Sequence, residues 1–91
     1  MKLEIITPEA SIFNGEATAV TLPGLDGFFQ ILNNHAPIIS SLKAGEVKVD
    51  VSGKWDAIKN DAVLIDKNVL RVQIKGGVAE LMNNKLIVLA E

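Results

Sequence analysis

Ninety-one residues, 48% of them apolar, are enough for one domain with one core, burying roughly 60–65% of the extended surface. A net charge of −2 with acids and amines interspersed leaves no basic footprint of the kind nucleic-acid binding needs. The absence of cysteine excludes a disulfide framework and a thiolate metal site, and no run approaches the roughly 18 apolar residues of a membrane span. Met1-Lys2-Leu3-Glu4 also lacks the apolar stretch of a signal peptide.

The first predicted strand is Leu3 to Ile6, a β-branched run ended by Thr7-Pro8-Glu9. Pro8 to Phe13 is the best helical candidate, of one or two turns. Asn14-Gly15 reads as a turn, and Ala17 to Leu22 as the next strand. Pro23-Gly24 and Asp26-Gly27 then bracket a tight connection to Phe28 to Leu32. Val47, Val49 and Val51 alternate with Lys48 and Asp50, the period of a half-buried strand. Leu70, Val72 and Ile74 alternate with Arg71 and Gln73 in the same way. Leu86 to Ala90 is apolar at successive positions, which suits a strand covered on both sides. Ala44-Gly45, Ser52-Gly53, Lys59-Asn60-Asp61, Asp66-Lys67-Asn68, Gly76-Gly77 and Asn83-Asn84 supply further turn signals. Trp55 to Ile58 and Ala62 to Ile65 read as an added or extended hairpin. The spacing predicts an all-β fold, a flattened sandwich or barrel of about ten short strands over residues 1–91.

With no tyrosine and one tryptophan, the core falls to aliphatic residues and to Phe13, Phe28 and Phe29. Strand alternation sends the rings of Phe28 and Phe29 to opposite faces. Sandwich packing could bury both. An outward ring beside Asp26-Gly27 would instead make a contact tip.

The search for chemistry finds no catalytic set. His35 is the sole histidine, and neither Asp26 nor Glu46 stands at a motif spacing to orient it. The glycines of Pro23-Gly24-Leu25-Asp26-Gly27-Phe28 form no phosphate loop. Gly76-Gly77 in a strand pattern signals a bend, a bulge or a close backbone approach. Asp56, Asp61 and Asp66 lie in polar turns and read as solubilising. Asn33-Asn34-His35-Ala36-Pro37-Ile38 is the most unusual segment. Asn34 tolerates positive φ and Pro37 holds Ala36 extended, giving a stiff recognition loop. These residues alone describe a binding module with no enzyme activity and no cofactor.

Several segments occur in a distinctive order: Leu3-Glu4-Ile5-Ile6-Thr7-Pro8-Glu9, Phe13-Asn14-Gly15, Asp26-Gly27-Phe28, Asn34-His35-Ala36-Pro37-Ile38 and Gly76-Gly77-Val78-Ala79-Glu80-Leu81. Together they resemble the N-terminal domain of the epsilon subunit of F-type ATP synthase, whose mitochondrial counterpart is called delta. The resemblance runs from Leu3 to Glu91. It implies a flattened sandwich on the central stalk of the rotary motor. It also implies binding to the gamma subunit and the c ring, and to the catalytic alpha/beta hexamer only indirectly. Carried over by position, Thr7, His35, Ala36 and Pro37 are candidates for contact with gamma. Asp26, Gly27 and Phe28 are candidates for contact with the c ring.

The implied place is peripheral, without insertion in the bilayer, at the cytoplasmic face of a bacterial inner membrane. Asn34 and Gln30 stand where many relatives have glycine. The two C-terminal helices of most bacterial relatives, and the ATP sensing and inhibition they carry, have no counterpart up to Glu91. A generic β-sandwich adaptor is the alternative reading.

Overall fold

The computed structural model describes residues 1–91. Seven strands follow in chain order: β1 (Lys2–Ile6), β2 (Ser11–Gly24), β3 (Gly27–Leu32), β4 (Ile38–Ala57), β5 (Val63–Asp66), β6 (Val69–Met82) and β7 (Lys85–Ala90). No helix forms. Pro8 and Glu9 lie in the bend between β1 and β2, and Ser11 to Phe13 are already strand. Thr7 wins this segment for a turn. Its backbone N–H donates to the Ala10 carbonyl at 2.9 Å, and its Oγ1 accepts from the Ala10 N–H at 3.2 Å.

Sheet order is β1-β7-β6-β4-β2-β3, and β1 also pairs with β2. Five strands therefore close on themselves as a barrel. β1 pairs parallel with β7, whereas the other ladders are antiparallel. β3 and β5 each have one paired edge, on β2 and β6 respectively.

The strands are fewer and longer than about ten short ones, and the reason is physical. Several turn signals face one another across ladders. Ala44 falls between the pairs Lys43↔Gly76 and Gly45↔Ile74, opposite Lys75, so the Ala44-Gly45 signal adjoins Gly76-Gly77 across the ladder. Gly15 pairs with Trp55 and Glu16 with Ser52, so Gly53 and Lys54 form a bulge opposite the Asn14-Gly15 signal. Where two such sites coincide, both strands bend together and neither reverses. The corners turn one wide ribbon into the two faces of a flattened barrel.

The alternations read from the sequence hold. Val47, Val49, Val51, Leu70, Val72 and Ile74 point inward. Leu3, Ile5, Phe13, Leu22, Ile31 and Leu86 are also fully buried, and no polar or charged residue is. Each such aliphatic side chain contributes about 1.5–3 kcal/mol on burial. Phe13 stacks on the half-buried Trp55 with ring centroids 6.1 Å apart.

Two further expectations fail. Phe28 is 66% exposed and is not a core residue; Phe29 alone of the pair packs against the core. The register explains it, since Phe29 pairs with buried Leu22 and shares its inward face. The hairpin expected between Trp55–Ile58 and Ala62–Ile65 does not form either. Val63 to Asp66 pairs with Val69 to Val72 of β6 instead, because Lys67 takes a φ of 56° and turns the chain there.

Candidate partner interface

Three sequence-marked places lie at separate points of the barrel. Asp26, Gly27 and Phe28 occupy the β2–β3 turn, where Gly27 at φ 130° takes a conformation reserved for glycine. Phe28, Leu25 and Ile39 all stand exposed around a shallow hollow of about 490 Å³, with Ser40 and Ser41 completing its wall. Asp26 is exposed beside them.

The loop carrying His35, Ala36 and Pro37 lies at the far end of β3. It is pinned by neighbours. The Asn34 N–H donates to Asn84 Oδ1 at 2.8 Å, and the His35 N–H donates to the Leu32 carbonyl at 3.2 Å. Asn34 has a φ of 64°, as its loop position requires. Asn33 Oδ1 accepts from the Met1 amino group. His35, Ala36 and Pro37 are all exposed. His35 Nδ1 donates to the Ala36 carbonyl at 2.6 Å, so the imidazole contacts backbone and no carboxylate orients it. No group of three or more His, Asp or Glu side chains is disposed to hold a metal ion.

Thr7 closes the other end of β1 and borders a cavity of about 610 Å³, floored by Ile12, Val72 and Ile74. The structure does not bring Thr7 and His35 together. The five residues of β1, roughly 17 Å of strand, separate them.

What joins these places is a surface that no single motif marks, although Ile6, Val78 and Glu80 each lie within one. Ile39 pairs with Glu80, Glu80 with Ile87, and Ile87 with Glu4. One step along, Ser41 pairs with Val78, Val78 with Leu89, and Leu89 with Ile6. Met82 pairs with Lys85 on the other side. These residues share the outer face of the β4–β6–β7–β1 sheet. Ile39, Val78, Met82 and Leu89 are exposed on it, and Ile6 and Ile87 are half-buried.

Thr7 follows Ile6 at one end of this face. Asn84, which holds the His35 loop, turns the chain at the other. Ile39 also lines the Phe28 hollow, so the two surfaces are continuous. Ile39, Val78, Met82 and Leu89 thus cluster around Glu80 on one uncovered face, and clustered exposed apolar residues are where partners characteristically dock. The signal for it was present in Leu86–Ala90, apolar at both parities and so suited to cover on both sides. The fold covers Leu86, Val88 and Ala90 and leaves Leu89 open.

Comparison with known proteins agrees with this architecture. The sequence matches the ATP synthase delta/epsilon chain β-sandwich domain over residues 1–91. The chain belongs to that family. The ATP synthase epsilon chain of Chlorobium limicola is 42% identical over 90 residues, spanning 99% of this chain and 88% of that protein. The epsilon chain of Sulfurimonas denitrificans is 41% identical over 91 residues, and there the match spans 60% of the relative. The fold is similar to a chain of the central stalk and c ring of the Tetrahymena thermophila mitochondrial ATP synthase. The TM-score is 0.72 at 17% identity, over 99% of this chain and 62% of that one. The epsilon family resemblance and the all-β sandwich expected from the sequence both hold. No helix is long and apolar enough to cross a membrane.

Proposed function

We propose that this domain is a non-catalytic rotor subunit on the central stalk of an F-type ATP synthase. It works as one β unit over residues 1–91, bound to the gamma subunit and to the c ring, and helps couple proton flow to ATP synthesis. It lies peripherally at the cytoplasmic face of a bacterial inner membrane. The observation that carries this reading is the uncovered apolar face of β4, β6, β7 and β1, bounded by Thr7 and the His35-Ala36-Pro37 loop. That face is the docking surface for gamma. The Asp26-Gly27-Phe28 tip, continuous with it through Ile39, is the point of contact with the polar loops of the ring.

Physical considerations support the division. A closed barrel with short turns transmits force with little internal yielding. An interface that holds under torque buries on the order of 1,000 Å² or more and concentrates its energy in a few apolar anchors. Leu89, Val78 and Ile39 on one face and Phe28 at its edge are such anchors. The test is calorimetric titration of the folded domain with purified gamma subunit. Saturable one-to-one binding supports the reading. Absence of binding, under conditions where an authentic epsilon subunit binds, contradicts it.

A further inference from the structure

The Gly76-Gly77-Val78-Ala79-Glu80-Leu81 segment contains one residue that neither fold nor docking yet explains. Glu80 is exposed and stands in the interior of the apolar face. Its neighbours two residues away along β6 are Val78 and Met82, and directly across the ladders stand Ile39 and Ile87. All four are apolar. The two ion pairs of the chain lie elsewhere, Arg71 with Glu46 and the Met1 amino group with Glu16. The nearest other charge on this face is Lys85, on the diagonal from Glu80 across the β6–β7 ladder and forming no ion pair with it. Glu4 lies beyond Ile87, Lys85 opposite Met82, and Lys2 next to Lys85.

In the free domain Glu80 is hydrated and costs nothing. Covering the face removes that water. A carboxylate buried among aliphatic side chains without a partner opposes binding strongly, whereas a paired, hydrogen-bonded one is tolerated and excludes wrong partners.

We infer that Glu80 is the specificity-determining residue of the docking face, and that the partner surface presents a cationic side chain into the space between Ile39 and Ile87. A guanidinium suits it best, because its fork satisfies both carboxylate oxygens at once. The partner patch is therefore apolar with one arginine at its centre. This rests on the docking role proposed above for the same face.

The experiment titrates the gamma subunit with wild-type domain, Glu80→Gln, Lys85→Gln and Val78→Asp, at low and at high salt. Melting temperatures verify that each variant is folded. Glu80→Gln keeps the shape and removes the charge. It should weaken binding about tenfold or more and flatten its salt dependence, while Lys85→Gln changes little. Val78→Asp should abolish binding. Wild-type affinity in Glu80→Gln with loss in Val78→Asp would overturn the buried pair while leaving the docking face in place. An equal loss in Lys85→Gln would assign Glu80 to its own chain and overturn the inference. No binding by the wild type would overturn both this inference and the gamma-docking reading.

Discussion

Gly77 lies so close under the Leu89 carbonyl oxygen that a Cβ could not be placed between them. Gly77 also holds a φ of 152°, which side-chain-bearing residues rarely adopt. The two facts bring β6 and β7 together at the bend where the outer face begins. Gly77→Ala should therefore destabilise the fold by at least about 2 kcal/mol, lowering the melting temperature by roughly 10 °C. Gly53→Ala is the control. Its φ is 59° but nothing lies within 4 Å of the added methyl, so only the backbone penalty, about 1 kcal/mol, applies. Thermal denaturation of the two variants reads the difference directly.

Leu86 and Leu89 are three residues apart and face opposite ways. Leu86 is wholly buried, and Leu86→Ala should cost about 2–5 kcal/mol of stability in chemical denaturation. Leu89 is 55% exposed. Leu89→Asp should shift stability by no more than about 0.5 kcal/mol yet remove gamma binding in calorimetry.

Phe28 and Phe29 separate in the same manner. Phe28→Asp should leave the melting temperature of the isolated domain unchanged and weaken attachment to the c ring, measured by co-sedimentation with purified ring. Phe29→Asp should destabilise the fold, because its ring packs against the core.

The His35 loop depends on backbone geometry more than on the imidazole. Asn34→Gly should be nearly neutral, since glycine accepts the φ of 64° freely. Asn34→Val should cost about 1–2 kcal/mol. His35→Ala should change stability by less than about 0.5 kcal/mol, its side chain being exposed and bonded only to the Ala36 carbonyl. Differential scanning calorimetry of the three variants orders them.

Much of the fold was legible in the sequence because period-two alternation is local. Val47 to Val51 and Leu70 to Ile74 declare their inward faces without reference to any partner. The corners were not legible. Ala44-Gly45 and Ser52-Gly53 look like turns in isolation and stay within β4 because each is held in a ladder, the first beside Gly76-Gly77 of β6 and the second opposite Gly15-Glu16 of β2. Pro8 to Phe13, the best helical candidate, forms no helix because the hydrogen bonds between Thr7 and Ala10 commit that segment to a tight turn. The site was legible as scattered marks. Thr7, His35 and Phe28 could be singled out, but the face that connects them depends on register between β4, β6, β7 and β1. Ile39 and Leu89 carry no motif, and Val78 and Glu80 sit in the Gly76–Leu81 segment with nothing local to show that they face outward. Phe28 illustrates the same limit, since alternation separates two adjacent rings but pairing with Leu22 decides that Phe29 is the inner one.

The most direct test of the central claim is amide chemical-shift mapping of the isotope-labelled domain on addition of unlabelled gamma subunit. The account predicts shifts concentrated at Ile39, Val78, Glu80, Ile87 and Leu89, extending to Thr7 and His35, with β5 unaffected. Shifts confined to Leu64 and Ile65 on β5, with the β4–β6–β7–β1 face unchanged, would contradict it.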